Sequence, residues 1–83
     1  MKSDFPQRVE AELLGARSLH GNQKSVHESY AVILEEVDEF WTEVKKKTAD
    51  RHKTRMVDEL VQIAAMCQRA AEDVLFDGLS WTE

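Results

Sequence analysis

The sequence predicts an all-α protein: an antiparallel helical bundle of three main helices per chain, completed to a four-helix-type core by oligomerisation. Three observations carry that expectation. Only one Pro and three Gly interrupt 83 residues, whereas strands need frequent turn chemistry. Apolar residues recur at spacings of three and four, the period of a helix face. The two longest periodic segments carry matched seams and are joined by a short loop, the arrangement of an antiparallel pair.

The first helix is expected from about Pro6 to Leu19. Asp4 is a fitting N-cap, and Pro6 is tolerated in a first turn, where its missing N–H costs nothing. Phe5, Val9, Leu13 and Ala16 form its apolar stripe, and Gly21-Asn22-Gln23 ends it. The second helix opens with Ser25-Val26-His27-Glu28, a capping box in which Ser and Glu each bond backbone N–H groups of the first turn. Its seam is Val26, Tyr30, Ile33, Val37, Phe40 and Val44, flanked by Leu34 and Trp41, and Lys45-Lys46-Lys47 closes it where the helix dipole favours cations. The third helix is expected from near Asp50 to about Phe76, with Asp77-Gly78 as the stop. Met56, Leu60, Ile63, Cys67, Ala70 and Val74 form its seam, so Cys67 reads as a small core residue. Trp81 is expected to cover a bundle end or an interface.

Composition narrows the function classes. The chain is one domain, residues 1–83, whose core is too small to leave an isolated monomer more than marginally stable. Association into a homodimer or homotetramer is therefore the expectation. Charged residues make up 33%, and no apolar run approaches the length that spans a bilayer. The net charge of −5 argues against holding a nucleic-acid polymer by phosphate neutralisation. A single cysteine, Cys67, makes neither an internal disulfide nor a CxxC site. With no apolar leader near Met1, the expected compartment is the cytoplasm. His20, His27 and His52 lack zinc-site spacing.

The informative stretch is Glu35-Glu36-Val37-Asp38-Glu39. At 100° per residue, Glu36 lies roughly 80° from the centre of the second seam, and Glu39 about 60° further round. Glu59 lies roughly 60° off the third seam, with Gln62 about 60° beyond it. In an antiparallel pair both sets border one groove. Converging carboxylates raise one another's pKa or recruit a cation, and a hard divalent ion with oxygen ligands suits them. The competing reading of such a run is a solvated acidic face.

EEVDE at Glu35 to Glu39, followed about 20 residues later by Glu59-Leu60-Val61-Gln62 on an Ala-rich helix, resembles the MazG-like nucleotide pyrophosphohydrolases. These belong to the all-α NTP pyrophosphatase superfamily, whose signature is EExxE followed by ExxD. The wider stretch HESYAVILEEVDEFWTEV…DELVQIAAMCQRAAEDV looks like small MazG-like proteins of phage and mobile-element type, and the motif-bearing region is residues 26–75. The resemblance implies that Glu36, Glu39 and Glu59 bind Mg²⁺, with Mn²⁺ as a substitute, and that Glu35 ligates a second ion or orients the attacking water. It implies hydrolysis of a nucleoside triphosphate, ribo or deoxy, to a monophosphate and pyrophosphate by an oligomeric enzyme. Gln62 stands where the family has Asp. Asp58, four residues earlier and about 40° round on the same side, is the candidate to supply the missing charge.

Lys45, Lys46, Lys47, Arg51, Lys53 and Arg55 gather near the turn between the second and third helices. Arg55 and Lys47, with Lys24 from the other side, are the candidate phosphate-binding residues; the competing reading is solvated helix ends. Tyr30 and Trp41 are candidates for stacking on a base, with core or interface packing as the plainer role. The alternative function is a non-catalytic helical module of the same fold, in which Gln62 marks lost chemistry.

Overall fold

The structure is a computed structural model that describes residues 2–76. It is all-α: helix α1 spans Phe5–His20, α2 Val26–Val44 and α3 Lys53–Arg69. A three-residue 3₁₀ turn, Thr48–Asp50, precedes α3, and a π-helical segment, Ala70–Phe76, follows it. Among the described residues no helix is long and apolar enough to cross a membrane. The expected Asp77-Gly78 stop and Trp81 lie outside the described residues.

Local chemistry sets the helix ends. Asp4 occupies the N-cap of α1, but its side chain makes no capping bond; Ser3 Oγ accepts from the Phe5 N–H instead, at 3.3 Å. Gly21 ends α1 with φ +71° while its N–H donates to the Arg17 carbonyl at 2.8 Å, a left-handed turn that glycine makes without steric cost. The Ser25 hydroxyl accepts from the Glu28 N–H at 3.1 Å, and the Glu28 carboxylate accepts from the Lys24 N–H at 2.6 Å. The capping box is thus present with its return bond one residue earlier than expected. At the far end of α2, Arg51 Nε donates to the Val44 carbonyl at 2.8 Å, covering an orphan acceptor.

α3 is the shared partner, with α1 and α2 each lying along it. The core joins Val9, Leu13 and Ala16 of α1 to Val61, Ala65 and Met66 of α3, with Phe5, Val32, Ile33 and Ala64 packed around them. The expected α1 stripe is the observed one. The expected α3 seam is corrected in part: Val74 is buried and Met56, Ile63 and Ala70 are half-buried, but Leu60 is 40% exposed and Cys67 is exposed, while Val61, Ala65 and Met66 are buried. α1 claims a face of α3 on nearly the opposite side from the predicted line, roughly 160° round at 100° per residue. Of the expected α2 seam, Val26, Ile33, Phe40 and Val44 are half-buried, but Tyr30 and Val37 are exposed. Ser29 and Glu43 are buried, and Tyr30, Leu34, Val37 and Trp41 form an exposed strip at spacings of four, three and four.

The end of the bundle where α1 meets the π segment is held by ions. Arg17 donates to Asp73 Oδ1 at 2.6 Å and to Glu72 Oε1 at 2.9 Å, while Asp73 Oδ2 accepts from the Gln23 N–H at 3.0 Å. Arg69 approaches Asp73 at 3.9 Å and donates to the Gly21 carbonyl at 2.8 Å. This clamp pins the α1–α2 connection to the widened turns of the π segment.

Candidate metal centre

The antiparallel packing of α2 on α3 brings three carboxylates together. One oxygen from each of Glu36, Glu39 and Glu59 lies within 4.8 Å of the other two. Glu36 and Glu59 are half-buried at the α2–α3 seam and Glu39 is exposed at its rim. Glu36 Oε2 and Glu59 Oε2 are buried without a hydrogen-bond partner among the described residues. Buried carboxylate oxygens left unpaired are costly.

Electrostatics records that cost. Burial, followed by the neighbouring carboxylate of Glu39 and the charges of Glu59 and Glu35, pushes Glu36 up to about 7. Glu59 is raised as well, again by burial first and then by Glu39. One turn along, Glu43 shows what a compensated carboxylate looks like. It accepts from Lys46 Nζ at 2.8 Å and from the His52 N–H at 2.8 Å, and these bonds hold it below the usual carboxylate range. Glu43 thereby also caps the start of α3, where His52 offers no side-chain bond of its own.

Two hollows flank the trio. One of about 260 Å³ is lined by Glu39, Thr42, Glu43, Lys46, Arg55 and Glu59. The other, of about 380 Å³, lies among the three helices and includes Glu35 and Glu36 in its wall. Glu36, Glu39 and Glu59 are therefore together, with Arg55 beside them and Glu35 exposed on the opposite side.

The remaining candidates lie further from the trio. Asp58 forms an ion pair with Arg8 of α1, although its charge still contributes to raising Glu59. Gln62 lines the larger hollow with Glu35 and Glu36, but its Nε2 turns to α1 and donates to Glu12 Oε1 at 2.7 Å. Both belong to the face of α3 that α1 covers. Neither Lys24 nor Lys47 lines the two hollows; Lys46 does, a residue singled out in advance only as part of the lysine run. Its signal was the Glu43–Lys46 spacing of three, the reach of an intrahelical ion pair.

Three clustered carboxylates, two of them with a buried unpaired oxygen, are an oxygen donor set of the kind that hard divalent cations take. No family model, curated protein or solved structure matches the chain.

Proposed function

We propose that the protein is a Mg²⁺-dependent nucleoside triphosphate pyrophosphohydrolase of the MazG-like kind that its EEVDE and ELVQ motifs resemble. Its reaction would convert an NTP or dNTP to the monophosphate and pyrophosphate. The observation supporting this reading is the trio of Glu36, Glu39 and Glu59 with its two unpaired buried oxygens. These three side chains would hold the ion. When bound, Mg²⁺, or Mn²⁺ in its place, offsets phosphate charge and lowers the pKa of bound water.

The other residues have roles that follow from their positions. Glu35, on the cavity side of the trio, orients the attacking water and receives the proton it loses. The water oxygen bonds to the α-phosphorus as the bond from that phosphorus to the bridging oxygen breaks, and pyrophosphate leaves with the bridging oxygen. Arg55 lines the hollow shared with Glu39 and Glu59 and has no ion pair among the described residues, so its guanidinium is available to the departing phosphates. Tyr30, Leu34, Val37 and Trp41 on α2 are exposed, with Leu60 of α3. They give a homodimer or homotetramer an apolar face to bury.

The second reading, a non-catalytic module of the same fold, draws on Gln62. Its amide is committed to Glu12 at the position where the resemblance expects a fourth, charged ligand.

One assay separates the two. Pyrophosphate release is measured across NTPs and dNTPs, with and without Mg²⁺. Metal-dependent release that falls by at least about a hundredfold in Glu36→Ala supports the hydrolase. No release from any nucleotide supports the module.

A further inference from the structure

The cavity of about 380 Å³ among the three helices is near the lower end of the size range of small-molecule sites, about 300–1,000 Å³. Its walls combine apolar surface from Leu19, Val32 and Met66 with polar and charged side chains, Gln23 and Gln62 among them and carboxylates on the α1 and α2 sides. Gln23 is 3% exposed, and its Nε2 is buried without a hydrogen-bond partner. The other end of the same amide is fixed, because Gln23 Oε1 accepts from the Ser29 hydroxyl. An oriented, buried donor is thus left unused in a wall of mixed apolar and polar character, and such a group is costly unless something accepts from it.

The surroundings indicate what would accept. Glu35 and Glu36 belong to the wall of this cavity, Glu39 and Glu59 to the wall of the hollow that contains Arg55 and Lys46. The carboxylate trio therefore divides a partly apolar cavity from a hollow in which Arg55 has no ion pair among the described residues and Lys46 is bonded to Glu43. A molecule lying across that divide would be planar and apolar with a hydrogen-bond acceptor at one end, and anionic at the other. The cavity would receive the first part.

We infer that the three-helix cavity is a nucleobase pocket in which Gln23 Nε2 donates to a ring carbonyl, so that carbonyl-bearing bases are taken in preference to adenine. The inference rests on the nucleotide reading of the adjoining carboxylates, and it specifies which part of the substrate each hollow takes.

Gly15 provides a second handle. It lies within α1 and lines the cavity, and a Cβ added there meets nothing within 4 Å. Gly15→Leu therefore adds bulk at the cavity wall from a position where its Cβ has open space, and without removing a helix-favouring residue.

The test uses the full chain and two independent measurements. Uridine, cytidine, guanosine and adenosine are titrated without metal while amide resonances are followed, and pyrophosphate release is measured from the corresponding triphosphates. The expected result is that the three carbonyl-bearing nucleosides shift the resonances of Gln23, Val32 and Met66 and bind about tenfold tighter than adenosine. Gln23→Leu removes that preference, and Gly15→Leu weakens all four. Saturable binding with this pattern but no pyrophosphate release would keep the pocket and sink the hydrolase. Pyrophosphate release that ignores the base and is unchanged in both variants would sink the pocket and keep the hydrolase. Absence of any shift at the cavity residues with all four nucleosides overturns the inference.

Discussion

Two groups of charge are built into opposite stretches of this bundle, and the chain treats them differently. In the clamp, Asp73 is met by Arg17 at 2.6 Å, by Arg69 at 3.9 Å and by the Gln23 N–H at 3.0 Å. Arg17 is raised, by its bond to Glu72 first, and Glu72 is lowered, by Gln68 and then Arg17. Each sign finds its opposite within the fold. In the trio, Glu36, Glu39 and Glu59 meet one another, and Glu36 and Glu59 are pushed up. The contrast separates charge that serves the fold from charge that waits for something outside it. Glu43 makes the same point within a single helix: it lies one turn from Glu39 and is compensated by Lys46 and the His52 N–H.

The largest effect comes from breaking the compensated group. Asp73→Ala leaves Arg17 and the buried Arg69 without their shared partner and frees the Gln23 N–H. The expected loss is about 3–5 kcal/mol, the usual cost of orphaning a buried ion. Urea denaturation would show it as a lower midpoint at unchanged slope. A loss below about 1 kcal/mol would show that the clamp is ornamental, and the comparison with the trio would collapse.

The next effect tests the trio through pH and metal together. The folded chain holds the protons of Glu36 and Glu59 more tightly than the unfolded chain does. Their contribution to stability is full below the usual carboxylate value of 4.5 and is lost as pH rises above it, for Glu36 through about 7. Glu43 and Glu72 are lowered, so theirs is present above that value and is lost as pH falls below it. The metal-free protein should therefore melt highest near pH 5, and by pH 8 it should have lost on the order of 1–2 kcal/mol, or several degrees in Tm. Mg²⁺ at a hundred times its dissociation constant should return about 2.7 kcal/mol at pH 8. Glu36→Gln should flatten the decline above pH 5 and abolish the response to Mg²⁺. A wild-type Tm that rises between pH 5 and pH 8 without metal would show that the carboxylates do not strain the fold.

The same contrast explains what the sequence reveals and what it conceals. The capping box at Ser25 and Glu28, the stop at Gly21 and the α1 stripe of Val9, Leu13 and Ala16 depend on neighbours within a few residues, so they can be read directly. The meeting of Glu36, Glu39 and Glu59 was legible as helix angles, given an antiparallel pair. The face of α3 that α1 would cover was not legible, because that helix carries more than one apolar line. Spacing alone does not say whether a line is buried by its own chain or left for another. Hence Leu60 and Cys67 were misassigned, and the bonds that Asp58 and Gln62 make to α1, at Arg8 and Glu12, were not foreseen. The clamp escaped notice altogether, although Arg69 and Asp73 stand four residues apart. Its decisive contacts, from Arg17 and the Gln23 N–H, cross at least fifty positions of sequence.

The smallest effect gives the sharpest version of the comparison, because it moves one residue from one regime to the other. Gln62 donates to Glu12 at 2.7 Å, a neutral amide satisfying a half-buried carboxylate. Gln62→Asp replaces that donor with a second acceptor, so the bond is lost and a like charge faces Glu12. The expected cost in the metal-free protein is about 1 kcal/mol. Combining Gln62→Asp with Glu12→Gln restores an amide opposite a carboxylate and should recover most of it. The informative measurement is the Mg²⁺ response of the single variant. If the shorter, charged side chain turns toward the trio, its cost should shrink at saturating Mg²⁺ and pyrophosphate release should rise above that of the native chain. If the cost is the same with and without metal, position 62 belongs to the α1 contact alone, and the three glutamates make up the whole protein contribution to the centre.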